Sequence, residues 1–231
     1  MIIKIADLVI DMRIKKAYTA DMCQAYIYTG PRPVDFAVES TRELMIREYQ
    51  ENPGYALDYL ESLCIYRQIC EKILDYDGML LHAAAVAVDG QAYLFSALSG
   101  TGKTTHMRLW LEKFGDRAAV VNGDKPLLRK LDGVFHACGT PWSGKEALNT
   151  NMTAPIRGIC ILERAQQNWI KKITPQEGLH TMLTQTMRPK NASGMQKMLG
   201  ILDDLLRTVP LYRLGCNMEP EAAEVAYNGM Q

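Results

Sequence analysis

The feature of this sequence that most constrains its fold is a glycine-rich turn between a strand pattern and a helix pattern. Residues 92–97 form an apolar run, residues 98–102 supply the turn, and residues 104–114 carry apolar side chains at helical spacing. Gly115 then provides the end of a short helix. A strand, a glycine loop and a helix therefore follow one another, which is the context that a phosphate-binding turn requires.

The turn matches the phosphate-binding pattern GxxxxGK[ST] at every position except the first, which Ala97 occupies. Glycines let the backbone fold round a phosphate, and the helix that begins near Lys103 adds its positive dipole end. The alternative is a turn that merely joins a strand to a helix. The predicted nucleotide-binding residues are Ser99, Gly100, Thr101, Gly102, Lys103, Thr104 and Thr105.

Polar residues in and after the turn have predicted roles in binding ATP and Mg²⁺. Lys103 would bridge the β- and γ-phosphates, Thr104 would give its hydroxyl to magnesium, and Thr105 would contact the α-phosphate. A carboxylate is also needed, either as a second magnesium ligand or to receive the proton of an attacking hydroxyl. Asp124 occupies the expected place at the end of the next strand, although an Asn-Gly-Asp turn also suits an aspartate with no such role.

Further candidates lie outside the turn. His82 precedes the loop strand by one hairpin and is a third predicted catalytic residue, with a hydrogen-bonded core histidine as the alternative. Residues 139–146 form a non-periodic loop with an exposed-looking Trp142, which either closes over the site or is an ordinary surface turn. Lys145 would offset phosphate charge, and Arg157 and Arg164, which flank the next strand, are candidate contacts for phosphate or acceptor.

The remaining pattern predicts an α/β chain in two parts. Residues 1–77 combine short alternating runs with one helical stripe, which indicates a small N-terminal subdomain of strands and a linking helix. Residues 78–231 mix hairpins with helices, so the nucleotide-binding domain should have a mixed sheet. A capping box at Thr174 and Glu177, with Pro175 between them, predicts a helix that begins at Pro175.

Charge and cysteine content exclude several partners. Acidic and basic side chains balance at 26 each, so the chain offers no long-range attraction to nucleic acid or to an anionic membrane. The six cysteines form no CxxC pair, which favours buried single thiols in a reducing cytoplasm. Neither a signal peptide nor an apolar run of membrane-spanning length is apparent. We therefore expect a soluble cytoplasmic protein, either a monomer or a homo-oligomer.

Residues 98–105 resemble the kinase loop of ATP-dependent phosphoenolpyruvate carboxykinase, and HPr kinase/phosphorylase has a similar loop. The strand at His82 and the hairpin at Asp89 and Gly90 also resemble the HPr kinase arrangement, so the resemblance covers about residues 79–131. It implies a mixed-sheet nucleotide fold that differs from most P-loop (Walker A) enzymes. In both families two adjacent acidic residues follow the next strand, whereas here only Asp124 carries over.

Other departures limit which substrate the resemblance implies. The glycine, arginine and asparagine run of HPr kinases is missing, and the chain is too short for a carboxykinase. The resemblance therefore implies an HPr-kinase-like module that transfers the γ-phosphoryl of ATP to a hydroxyl on a protein, a peptide or a small metabolite. The alternative is a non-catalytic ATP-binding module that acts as a regulatory or accessory protein.

Overall fold

The computed structural model describes residues 1–98 and 100–231, so Ser99 of the predicted turn lies outside the described residues. The chain divides into two compact units, Met1–Ile73 and Leu74–Gln231. Across these described ranges, no helix combines the length and the apolar character that crossing a bilayer requires.

The first unit combines a small sheet with three helices. A buried carboxylate holds it together, because Glu61 accepts hydrogen bonds from the backbone N–H groups of Lys15 and Lys16 and from the hydroxyl of Ser40, at 2.6–2.9 Å. Hydrogen bonds to a buried charge offset its loss of water. The second strand pairs antiparallel with the first and parallel with the third. The elements are β1 (Ile2–Ile5), β2 (Leu8–Arg13), α1 (Ala17–Met22), β3 (Phe36–Glu39), α2 (Arg42–Glu51) and α3 (Leu57–Lys72).

The second unit is built on a mixed nine-stranded sheet within the described ranges. Its strands are β4 (Gly78–Leu80), β5 (Ala83–Val88), β6 (Gln91–Ser96), β7 (Ala118–Asn122), β8 (Leu127–Leu131), β9 (Val134–Cys138), β10 (Thr153–Arg164), β11 (Trp169–Ile173) and β12 (Leu211–Cys216). The order is β4-β8-β9-β10-β6-β5-β7, with β12 beside β10 and β11 beside β12. Parallel and antiparallel pairs occur together, so the prediction of a mixed α/β sheet is confirmed.

Helices cover both faces of this sheet. Strand β5 shows why, because its six residues are all buried, with Ala84 and Val86 in one apolar cluster and Ala83 and Ala85 in another. Side chains alternate between faces along a strand, so a continuous apolar run requires cover on both. The helix beginning at Pro175 is confirmed, together with its capping box. The helices are α4 (Lys103–Phe114), α5 (Pro175–Thr184), α6 (Ala192–Thr208) and α7 (Glu221–Gly229).

Four strands end at one edge of the sheet, which we call the carboxyl edge. Strands β6, β10 and β12 are mutually parallel, and β7 runs with them because both β6 and β7 pair antiparallel with β5. The last residues of these four strands are Ser96, Asn122, Arg164 and Cys216. Ligands of open α/β sheets bind outside the carboxyl ends of strands, so we expect a ligand-binding site at this edge.

Candidate functional site

The turn after β6 has the backbone geometry of an anion site. Gly100 and Gly102 have φ angles of 79° and 121°, values that favour glycine. A Cβ atom on either residue would meet no other atom within 4 Å. Glycine is therefore favoured here by the backbone conformation and not by lack of space for a side chain. Within the described part of the chain, no side chain caps the start of α4. The first N–H groups of this helix therefore remain available to a phosphate.

Lys103 is the first residue of α4, and its side chain reaches back to the residue that precedes the turn. It is only 9% exposed, and its Nζ donates a hydrogen bond to the carbonyl oxygen of Ala97 at 2.9 Å. Burial lowers the pKa of Lys103, while the nearby Asp124 carboxylate opposes this shift. An ammonium group in this place adds positive charge to the site formed by the backbone.

The geometry of Ala97 explains the departure from the strict phosphate-binding pattern. Its side chain is buried in the apolar cluster that also contains Phe95, Met107 and Trp110. Its φ angle is not positive, so a side chain causes no backbone strain there. The carbonyl oxygen of Ala97 accepts the hydrogen bond from Lys103, and alanine supplies that oxygen as well as glycine would.

The structure brings His82 and Asp124 together at the carboxyl edge. His82 Nε2 lies 2.8 Å from Asp124 Oδ1, and the backbone N–H of Ala83 donates to the Asp124 carbonyl oxygen at 3.1 Å. Burial opposes ionisation of Asp124, but the hydrogen bond to His82 and the charge of Lys125 outweigh it and lower the pKa of the carboxyl. Asp124 is therefore an anion at neutral pH, a quarter exposed and held in place by His82.

Asn122 positions Asp124, and we did not predict this role from the sequence. The Asn122 side chain is fully buried, and its Oδ1 accepts hydrogen bonds from the backbone N–H groups of Asp124 and Lys125 at 2.9 and 2.7 Å. Its Nδ2 donates to both the carbonyl and the hydroxyl oxygen of Thr140 at 2.9 Å. The sequence signal is an asparagine two residues before an aspartate, which is typical of an Asx turn.

The loop of residues 139–146 packs against Asp124. A Cβ atom on Gly144 would lie 3.0 Å from Asp124 Cβ, and Lys145, the next residue, is exposed. Glu146 pairs with Arg108 of α4. The expectation of an exposed Trp142 is wrong, since it is only 5% exposed. Its carbonyl oxygen accepts from Asn122 and from the Thr140 hydroxyl, which draws this part of the loop inward.

The two candidate arginines lie far apart on β10, with Arg164 as its last residue and Arg157 near its middle. Arg164 lies at the carboxyl edge, where its guanidinium donates to the carbonyl oxygens of Gly100 and Thr101 at 2.5 and 3.5 Å. Arg157 donates to the Met230 carbonyl oxygen at 2.9 Å and lies ~23 Å along the strand from Arg164. The structure therefore does not place Arg157 at the turn.

The residues at this edge fit magnesium only together with a phosphate. Across the described residues, no three His, Cys, Asp or Glu side chains cluster in a way that would hold a metal. Thr104, half-buried in the first turn of α4, offers a hydroxyl, and Asp124 offers an ionised carboxylate. Mg²⁺ typically binds one or two such protein oxygens and completes its octahedron with phosphates and water. The donor chemistry therefore fits a magnesium ion that arrives with a nucleotide.

Comparisons with known proteins add little to this geometry. No protein-family model and no curated protein matches the sequence. One similar solved structure is described as the Hpr(Ser) kinase/phosphatase from Coxiella burnetii, at 10% identity and a TM-score of 0.40. The match covers 65% of this chain and 95% of that chain. A similarity this distant carries no argument about function, so the site itself has to carry it.

Proposed function

We propose that this protein is an ATP-dependent kinase of the cytoplasm, which transfers the γ-phosphoryl group of Mg·ATP to a hydroxyl on a protein, a peptide or a small metabolite. One observation carries the proposal. A helix start without a side-chain cap in the described residues, a buried lysine and an ionised aspartate meet at one edge of the sheet. The six cysteines are all free thiols, which suits a reducing compartment.

Phosphate binding would use the turn and Lys103. The N–H groups at the start of α4 would donate to the β-phosphate, and Lys103 would exchange its bond to the Ala97 carbonyl for one to a phosphate oxygen. Hydrogen bonds between charged partners are about twice as strong as neutral ones, so this exchange favours the bound state. Thr104 and Thr105 lie in the same helical turn, and Ser99 joins the proposed set on the sequence pattern alone.

Asp124 would orient the acceptor hydroxyl. Its Oδ1 is held by His82, while Oδ2 lies 3.5 Å from the Lys125 ammonium and faces the Gly144 backbone. A carboxyl with a lowered pKa is a weak base, but in a loose phosphoryl transfer the hydroxyl loses its proton late. The acceptor oxygen forms a bond to the γ-phosphorus, the bond to the β-phosphate oxygen breaks, and the hydroxyl proton passes to Asp124 and then to water.

Charge neutralisation would come from three sources. Lys103 would lie on one side of the phosphates, and Lys145 is the exposed cation of the loop that packs against Asp124. Thr104 and Asp124 would hold a bound magnesium ion, which would stabilise the charge on the phosphate oxygens. Positioning and charge stabilisation account for most of the rate in reactions of this kind.

A regulatory ATP-binding module is the second candidate, and a specific observation favours it. Asp124 is the one carboxylate that the sequence pattern supplies after β7. In the structure, its two oxygens already lie beside His82 and Lys125. If neither oxygen is released to a hydroxyl, bound ATP would order the turn for a partner without any transfer.

The test separates binding from transfer. We expect isothermal titration calorimetry to detect Mg·ATP binding to the full chain, and γ-labelled ATP to lose its label to an acceptor in a cell extract. Lys103→Ala should abolish both, whereas Lys113→Ala, on the same helix and paired with Glu224, should change neither. Tight binding with no transfer would select the regulatory module. Equal heats from wild type and Lys103→Ala would contradict both candidates.

A further inference from the structure

An open cavity of about 520 Å³ lies beside the turn, on the side away from His82 and Asp124. The strand order places β10 and β12 on one side of β6, and β5 and β7 on the other. Leu98, Gly100 and Thr101 of the turn line the cavity, together with the end of β10 and Arg213 from the middle of β12. Its volume falls within the roughly 300–1,000 Å³ that is usual for small-molecule sites.

The cavity wall combines a carboxylate, guanidinium groups and apolar surface. Glu163 and Arg213 form an ion pair across the neighbouring strands β10 and β12, with Arg213 Nη1 3.2 Å from Glu163 Oε2. Arg164 is held against the turn by the Gly100 carbonyl, and Ile161 adds an aliphatic side chain. These groups suit a nucleoside, because guanidinium planes stack on bases and carboxylates accept hydrogen bonds from ribose hydroxyls.

The direction of a bound triphosphate leads to the same cavity. If the terminal phosphate faces Asp124, the nucleoside at the other end of the phosphate chain must leave the turn on the β10 side. Helix α5 and the residue after it reach both places, because Thr181 lines the cavity and the carbonyl oxygen of Gln185 accepts the His82 N–H at 2.7 Å. Four residues rise ~6 Å along a helix, so the cavity begins about one helical turn from His82.

We propose that this cavity is a nucleoside pocket, which holds the base and ribose of a bound ribonucleoside triphosphate. The assignment rests on the proposed function, because it needs the phosphates to lie on the turn. Glu163 accepts hydrogen bonds from the ribose hydroxyls, with Arg213 fixing the carboxylate from the neighbouring strand. Thr181 closes the α5 side of the pocket. A large side chain at that position would fill the pocket without touching the turn.

The experiment compares two ligands that share their phosphates. Calorimetry with Mg·ATP and with magnesium tripolyphosphate, which has no nucleoside, is carried out on wild type, Thr181→Trp and His180→Trp. His180 is exposed on the same helix and does not line the cavity, so it controls for the added indole. We expect wild type and His180→Trp to bind ATP about tenfold more tightly than tripolyphosphate. Thr181→Trp should lose about tenfold in ATP affinity while its tripolyphosphate affinity changes less than about twofold.

The outcomes separate the pocket from the site on the turn. Equal affinities of wild type for ATP and tripolyphosphate would overturn the pocket, as would unchanged ATP binding by Thr181→Trp. If wild type binds neither ligand, the proposed function itself fails, and the pocket fails with it. Should Thr181→Trp not fold, as judged by circular dichroism, the smaller Thr181→Leu takes its place. That variant should weaken ATP binding about threefold with tripolyphosphate binding kept, and an unchanged ATP affinity would overturn the pocket.

Discussion

Two helices of the second unit begin in opposite ways. At α5, the Thr174 hydroxyl accepts the Glu177 N–H at 3.3 Å, and the Glu177 carboxylate accepts the Thr174 N–H at 2.8 Å. At α4, Gly102 takes the same position without a side-chain cap among the described residues. A cap is worth about 1 kcal/mol. The chain thus keeps this stabilisation at α5 and leaves it out at α4, where a ligand would supply the missing acceptors.

The largest expected effect is on phosphoryl transfer, and it distinguishes the Asp124 carboxylate from the Glu177 carboxylate. Asp124→Asn should lower phosphoryl transfer about a hundredfold, because the acceptor hydroxyl loses its anionic partner, while ATP binding is largely kept. Glu177→Gln, at the capped α5 start, should leave transfer unchanged. Initial rates with γ-labelled ATP and the extract acceptor measure both variants. An Asp124→Asn variant as fast as wild type would remove Asp124 from the mechanism.

A pH titration tests how strongly α4 depends on a buried neutral side chain. The Nε2 atom of His106 accepts the Trp110 indole N–H at 3.0 Å, and burial lowers the pKa of His106 to about 4 from its ordinary value of 6.5. Between these values the unfolded chain binds a proton that the folded chain refuses, so this stability is complete above pH 6.5 and is lost as the pH falls. We expect the free energy of unfolding to drop by about 3 kcal/mol between pH 7 and pH 4 from this group.

Urea unfolding at a series of pH values measures this drop. His106→Leu should flatten the profile over that window, whereas His180→Leu, which changes an exposed side chain, should preserve it. The lowered pKa of Asp124 acts in the same direction but only below the ordinary aspartate pKa of 3.8, so the two contributions occupy different pH windows. A wild-type profile that is flat from pH 7 to pH 4 would contradict the assignment to His106.

Removing Asn122 should have the next largest effect. Asn122→Ala leaves the half-buried N–H groups of Asp124 and Lys125 without this acceptor, which should cost about 2 kcal/mol of unfolding free energy. Transfer should fall more than ATP binding, since the turn that carries Asp124 loses its shape. Asn228→Ala, at an exposed site on α7, should stay within about 0.5 kcal/mol of wild type. Equal unfolding midpoints for the two variants would show that the Asn122 network adds no stability.

The smallest effect bears directly on the two helix starts. Thr174→Ala should cost about 1 kcal/mol of unfolding free energy and leave the affinity for Mg·ATP unchanged. Gly102→Ala should cost a similar amount through its φ of 121° but should also weaken Mg·ATP binding, because the turn can no longer fold round the phosphates. Denaturant unfolding and calorimetry on the same samples measure both quantities. If the two variants bind ATP equally well, the α4 start has no special role.

The sequence predicted those parts of the fold that local patterns determine. The strand, turn and helix at residues 92–114 and the capped start of α5 follow from spacing and capping chemistry, which act over a few residues. The mixed sheet followed from hairpins interspersed with helices. Each of these features depends on residues close together in the chain.

The missed features depend on contacts distant in sequence. His82 and Asp124 are 42 positions apart and meet only because β7 pairs with β5. Arg157 and Arg164 have similar surroundings in sequence, and only the register of β10 against β6 shows which one reaches the turn. Trp142 is drawn inward by a buried asparagine that local patterns describe only as part of a turn. Sheet register and buried polar networks therefore could not be predicted from local sequence patterns.

The burial of Ala97 bears on how such sites are searched for in genomes. Its methyl group is part of the core under α4, and its backbone oxygen accepts the hydrogen bond from Lys103. A search pattern that requires glycine at the first position specifies a residue type where the hydrogen bond uses only a backbone oxygen. Templates that state this position as a backbone conformation would retrieve proteins that the letter pattern passes over.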